Sequence, residues 1–162
     1  MRGIGVAVSD STVDVSGQRV LHPGVDEFID LVTELKAEGF NMVVDLTAVD
    51  YSAFPNREDL PENVRPERFE IVISMINHQT RERVRLRIQI QEENPVAPSL
   101  FDLYPGTEAM EREVYDMFGI SFSDHPDLTR ILMPEDWVGH PLRKDFSTGQ
   151  IPVQFKASKA KR

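Results

Sequence analysis

The sequence predicts an α+β fold: a two-layer domain with helices packed on one face of a mixed or antiparallel sheet, followed by an extended, irregular C-terminal tail. Three observations predict it. An apolar stripe at helical spacing lies near the start, two segments of strict apolar–polar alternation lie mid-chain, and prolines recur through the final third. The 162 residues suit one domain with its own core. The expected division is an α+β domain over 1–106 and a helix plus extended tail over 107–162.

The first element is a helix in "HPGVDEFIDLVTELKAEGF". Val25, Phe28, Ile29, Val32 and Leu35 recur at three- and four-residue steps, with Pro23 before the start and Gly39 at the stop. "NMVVDLTAV" follows as a strand, with Met42, Val44, Leu46 and Ala48 expected on one face. Residues 51–68 carry Pro55, Pro61 and Pro66 among charges, and read as a protruding or mobile loop. A hairpin comes next: Phe69, Ile71, Ile73 and Met75 alternate on one strand, Val84, Leu86, Ile88 and Ile90 on the other. A tight connection near Gln79 and Thr80 pairs Ile73 with Leu86 and Ile71 with Ile88. The opposite face of the second strand shows Arg83, Arg85 and Arg87, either a solvated face or a stripe for an acidic neighbour.

"NPVAPSLFDLYPG" reads as a proline-bounded connector with a short helix, Ser99 and Asp102 having capping-box spacing. Thr107 is the expected cap of a longer helix, "EAMEREVYDMFG", with Met110, Val114 and Met117 facing the core and Gly119 ending it. Glu108 with Arg112, and Arg112 with Asp116, are both spaced for ion pairs along it. Beyond Gly119, Pro126, Pro134 and Pro141 exclude a long helix or central strand.

Charge and composition narrow the chemistry. A formal net charge of −9 argues against nucleic acid. The basic end "KASKAKR" is a frayed terminus or a contact for an acidic partner or lipid headgroups. The start is too short and too quickly polar for a secretory signal, and no run approaches the ~18 apolar residues of a membrane helix, so a cytoplasmic chain is expected. There are no cysteines, which excludes disulfides and thiolate-held zinc or iron–sulfur clusters. His125, His140 and Asp124 or Asp127 could be assembled into a metal set, and Ser123, His125 and Asp124 into a catalytic triad, but neither spacing is specific. "GIGVAV" lacks the third glycine and the strand–helix context of a dinucleotide loop.

The densest signal is "EREVYDMFGISFSDHPDLTRILMPEDWVGHPLRKDF", Glu111 to Phe146, which resembles the C-type (30 kDa-type) subunit of NADH–quinone oxidoreductase, respiratory complex I. The elements that carry the resemblance are Glu-Arg-Glu, Asp116, Gly119, His125-Pro126, Arg130-Ile131-Leu132, Pro134, Gly139 and Pro141-Leu142-Arg143-Lys144-Asp145. The chain departs from the family pattern at Ala109, often tryptophan, and at Thr129, often basic. It ends soon after the signature, as a separate C-type subunit would, and not as a fusion with the D-type subunit.

The resemblance implies a non-catalytic scaffold subunit of the peripheral arm, at the cytoplasmic side of the cell membrane. It binds no cofactor itself; FMN and iron–sulfur clusters sit in other subunits, which pass electrons from NADH to a quinone and couple this to proton translocation. The D-type subunit, which forms the quinone site, is the implied chief neighbour, with the cluster-bearing B- and I-type subunits near by. Glu111, Arg112, Asp116, His125, Arg130, Trp137, His140, Leu142, Arg143, Lys144 and Asp145 are the residues carried over as subunit interface. Leu128, Ile131, Leu132, Trp137 and Leu142 are the expected apolar anchors. Two other readings stay open: a homologous subunit of a membrane-bound hydrogenase or other dehydrogenase complex, and a stand-alone enzyme using the His125 region.

Overall fold

The structure is a computed structural model and describes residues 11–13 and 17–147. "GIGVAV" and "KASKAKR" lie outside the described residues. Seven strands and two helices follow in the order β1 (Ser11–Val13), β2 (Arg19–Leu21), α1 (Phe28–Ala37), β3 (Met42–Asp50), β4 (Phe69–Ile76), β5 (Arg83–Ile90), β6 (Val96–Pro98), α2 (Glu108–Phe118) and β7 (Ser121–Ser123). A single 3-10 turn, Pro105–Thr107, leads into α2. Five strands form one mixed sheet in the order β1-β2-β5-β4-β3, antiparallel except where β2 runs parallel to β5. β6 and β7 pair in parallel as a separate ribbon.

The hairpin register is the expected one. Ile73 lies opposite Leu86 and Ile71 opposite Ile88, so both apolar phases meet on one face. Helix α1 buries Phe28, Val32 and Leu35 against that face, and α2 adds Val114, Met117 and Phe118 to the same core. The helices therefore occupy one side of the sheet.

Strand β3 departs from strict alternation. Its register slips between Val43, opposite Met75, and Asp45, opposite Ser74, leaving Val44 as the extra residue of a bulge. One added residue inverts the phase, so Val43, Leu46 and Ala48 are buried while Met42 and Val44, expected on one face with Leu46 and Ala48, are exposed. The connector at 101–103 forms an isolated turn in place of the expected short helix. Ser99 Oγ accepts the Phe101 amide at 3.1 Å there, and itself donates to Glu111.

On the outer face, the 51–68 segment has no regular structure but is pinned by charge. Arg57 is buried: its Nη2 donates to Glu70 at 2.7 Å, its Nε to Asp59 at 3.1 Å, and its guanidinium lies 3.4 Å from the Tyr51 ring centroid. Arg87, from the expected arginine stripe, joins the same pair of acids at 2.8 Å and 2.6 Å. Arg83, Arg85 and Arg87 share a strand face yet meet different environments, because only Arg87 stands beside Glu70 and under the loop.

Ile73 is fully buried at the centre of the sheet. An Ile73→Ala variant is expected to lose about 2–5 kcal/mol, read as a lowered urea midpoint with unchanged slope.

Candidate functional site: a clamped C-terminal strap

The site is assembled from the last turn of α2 outward. A helix leaves its final carbonyls without intrahelical donors, and here residues distant in sequence supply them. Gly119 N donates to Tyr115 O at 2.9 Å. His140 Nδ1 donates to Asp116 O at 3.0 Å, Leu142 N to Met117 O at 3.0 Å, and Arg143 Nε to Phe118 O at 2.5 Å. The stretch "GHPLRKDF" thus caps α2. Gly119 makes the approach possible: its φ is +71°, and a Cβ there would stand 2.6 Å from the His140 ring and 2.7 Å from Arg143 Nη2.

Asp116 anchors the other half of the strap. Its side chain is fully buried. Oδ2 accepts the consecutive amides of Ile131, Leu132 and Met133 at 3.1, 2.8 and 2.8 Å, while Oδ1 accepts Arg130 Nη1. Burial alone would raise this carboxyl's pKa; the Met133 amide, the Arg130 guanidinium and the Leu132 and Ile131 amides outweigh it and hold the pKa low. Arg130 Nη2 donates onward to Gly139 O at 3.1 Å. The i,i+4 pair of Arg112 with Asp116 does not form, because Asp116 turns inward. Arg112 pairs with Glu108 at 3.0 Å and bridges to Thr129 O and Oγ1 and to Arg130 O.

A second latch joins the strap to the sheet. Asp50, at the end of β3, accepts the Lys144 amide at 2.9 Å and Arg68 Nη2 at 3.0 Å. Arg68 also meets Asp145 at 2.9 Å. Burial opposes the charge on Asp50, but Arg68 and the Lys144 and Ser52 amides dominate and push its pKa below the usual carboxylate range. Arg68 and Arg143 each lie within cation–π reach of the Phe69 ring, at 4.8 and 5.1 Å. Sequence reasoning does not single out Asp50 or Arg68. Asp50 falls on the buried phase of β3 after Leu46 and Ala48, and an acid at such a phase needs a cation; that is the available signal.

The other residues carried over by the resemblance have other placements. Glu111 is buried away from the strap, accepting Leu100 N at 2.8 Å, Ser99 Oγ at 2.6 Å and Thr107 Oγ1 at 2.8 Å. Thr107 precedes α2 but makes no side-chain cap, since its hydroxyl serves Glu111. His125 Nδ1 accepts the Asp127 amide at 3.1 Å, so its Nε2 carries the proton and donates to Glu108 O at 3.2 Å. Both ring nitrogens are engaged, and Ser123 and Asp124 form no triad with them. Among the described residues no group of three or more His, Cys, Asp or Glu is placed to hold a metal. Trp137 stacks on Phe146 with ring centroids 6.4 Å apart.

While Arg130, His140 and Arg143 are engaged beneath it, the strap turns aliphatic groups out. Ile131, Leu132, Val138 and Leu142 are 40, 55, 88 and 49% exposed. Leu128 instead packs on the core. Exposed aliphatic groups gathered in one segment are a feature of surfaces that bind by burial.

Fold and site together define a class: a small α+β domain carrying an externally apolar, internally clamped strap. Residues 22–151 match the family described as respiratory-chain NADH dehydrogenase, 30 kDa subunit. Among curated proteins, the chain is 39% identical over 136 residues to NADH-quinone oxidoreductase subunit 5 of Thermus thermophilus, covering 81% of this chain and 62% of that one. It is 43% identical over 122 residues to the C-type subunit of NADH-quinone oxidoreductase from Moorella thermoacetica, covering 75% and 74%. A solved trypsin-resistant fragment of Nqo5 superposes with TM-score 0.65 at 31% identity, over 74% of this chain and 89% of the fragment. A chain of an archaeal membrane-bound sulfane sulfur reductase shares the fold, with TM-score 0.67 at 21% identity over 97% and 92%. The chain belongs to the 30 kDa subunit family of respiratory-chain NADH dehydrogenase. It spans about three-fifths of the length of the first curated relatives it matches.

The clamp generates two expectations. Asp116→Asn should cost about 3 kcal/mol by leaving Arg130 without its counter-charge, and should open the strap to limited proteolysis beyond residue 124 while the core remains resistant. Acid should loosen the strap in two stages. Burial, with Arg143 and Arg130 beside it, lowers the His140 pKa from 6.5 despite the Asp116 carbonyl. The unfolded strap then binds the proton better, so docking is intact above 6.5 and weakens as pH falls below it. The lowered Asp116 pKa keeps its contribution above 3.8, lost as pH falls further. Trp137 is the only tryptophan and reports both stages by fluorescence; His140→Gln should abolish the first.

Proposed function

We propose that this chain is a cofactor-free, non-catalytic scaffold subunit in the peripheral arm of a proton-translocating NADH–quinone oxidoreductase, at the cytoplasmic side of the cell membrane. In this reading FMN, the iron–sulfur clusters and the quinone site belong to other subunits, and electrons pass from NADH to quinone without entering this chain. The strap packs chiefly on the D-type subunit, with the B- and I-type subunits adjacent.

One observation carries the proposal: the strap pairs Arg130, His140 and Arg143 within the chain while leaving Ile131, Leu132, Val138 and Leu142 uncovered. Each such side chain offers about 1–2 kcal/mol on burial at these exposures. Several within one short segment form the apolar centre of an interface, ringed by Glu135, Asp136 and Lys144 as a polar rim. The absence of cysteine agrees with clusters held elsewhere. Among the described residues no helix is long and apolar enough to cross a membrane, which agrees with attachment through neighbours.

The test is Leu132→Asp combined with Val138→Asp. Both side chains are exposed, so the isolated chain should keep its stability to within ~0.5 kcal/mol. Incorporation into the membrane-bound assembly, followed on native gels, should fall at least about tenfold, and NADH–quinone activity of the membranes should fall with it. Normal incorporation and activity would overturn the proposal.

A further inference from the structure

Among the described residues, nearly every arginine side chain has a partner within the chain. Arg57, Arg68 and Arg87 are held by Asp50, Asp59 and Glu70, and Arg112, Arg130 and Arg143 by α2 and the strap. Arg19 faces Glu38 at 3.7 Å, Arg65 faces Glu67 at 3.6 Å, and Arg85 is also engaged. Arg81 and Arg83 are the exceptions. Both are exposed, and both line an open cleft of about 500 Å³ with Arg19 on its wall.

The cleft rests on a braced turn. Asn77 is buried; its Oδ1 accepts the Gln79 and Thr80 amides at 3.0 and 3.2 Å, and its Nδ2 donates to Glu38 O at 3.1 Å. Gly39, at φ +100°, leaves room for this brace, since a Cβ there would lie 2.8 Å from Asn77 Nδ2. Arg81 takes a left-handed φ of 64°, an uncommon conformation for a residue with a side chain, held by the hydrogen bond its amide donates to Asn77 O at 2.8 Å. The two acids on the cleft wall are already occupied. Glu38 faces Arg19, and Glu82 Oε2 accepts Thr80 Oγ1 at 3.0 Å. Two exposed guanidiniums without an ion-pair partner on a rigid turn are conspicuous in a chain of net charge −9.

We propose that this cleft docks an acidic segment of a neighbouring protein chain, with Arg81 and Arg83 each receiving carboxylates. The guanidinium fork suits paired carboxylate oxygens. Both arginines stand on the rim of an open cleft and do not converge as buried donors, which fits several carboxylates on an extended segment and not one small anion. The location is separate from the strap: the turn after β4 lies at the opposite end of that eight-residue strand from Phe69, roughly 25 Å away. The inference does not depend on the strap's role.

The experiment uses the whole chain and a fluorescent oligoglutamate peptide, read by anisotropy. The peptide should bind in a salt-sensitive manner, and an oligoglutamine peptide of equal length should not. Arg81→Gln combined with Arg83→Gln should weaken binding at least about tenfold with an unchanged circular dichroism spectrum. Leu132→Asp combined with Val138→Asp should leave binding unchanged. Equal binding by the arginine variant would overturn the inference. So would displacement of the peptide by an equal concentration of inorganic phosphate, which would mark a small-anion site.

Discussion

Asp116 sets the constraint around which the C-terminal half is arranged. A carboxylate buried at the end of a helix is unstable unless donors reach it, and the helix dipole there offers it no help. The chain answers by returning Arg130 and three successive amides to the same spot. Once those residues are fixed, Gly139 to Arg143 are brought over the open carbonyls of α2. Helix end and strap are therefore one structural unit: neither satisfies its polar groups without the other. The latch at Asp50 repeats the device at the sheet, where a buried carboxylate again gathers a guanidinium and a strap amide.

This arrangement inverts the usual polarity of a surface segment. An irregular backbone on an exposed surface ordinarily spends its polar groups on water and its aliphatic groups on the core. Here arginines and carboxylates are drawn under the strap and the aliphatic side chains stand above it. The cost of desolvating those charges is offset only by near-complete pairing. The product is an apolar surface whose shape is fixed by contacts within the chain, and a preformed surface lowers the ordering entropy of any association.

The sheet core was legible because alternation over eight residues on each of β4 and β5, joined by a short connection, admits one register that buries both faces. The α1 stripe was legible for the same reason at a different period. Strand β3 was not, because Val43 and Val44 place apolar residues on both phases and only the bulge decides between them. Strands β6 and β7 are too short for any period to show. In the strap, the resemblance marked the charged residues, but pattern alone could not say whether they face inward or outward. That depends on Asp116 and Asp50, whose significance is tertiary. Arg83, Arg85 and Arg87 make the same point: identical spacing, yet Arg87 is drawn to Glu70 and Asp59 while Arg83 stands exposed.

The capping of α2 by residues more than twenty positions downstream has a bearing on biosynthesis. The chain leaves the ribosome helix first, so the last turn gains these donors only once His140, Leu142 and Arg143 have followed it out. Leu142 belongs to both features, since its amide seals the Met117 carbonyl while its side chain stands exposed on the strap. A chain that stopped short of His140 would therefore carry a helix end with three carbonyls lacking the partners that close it.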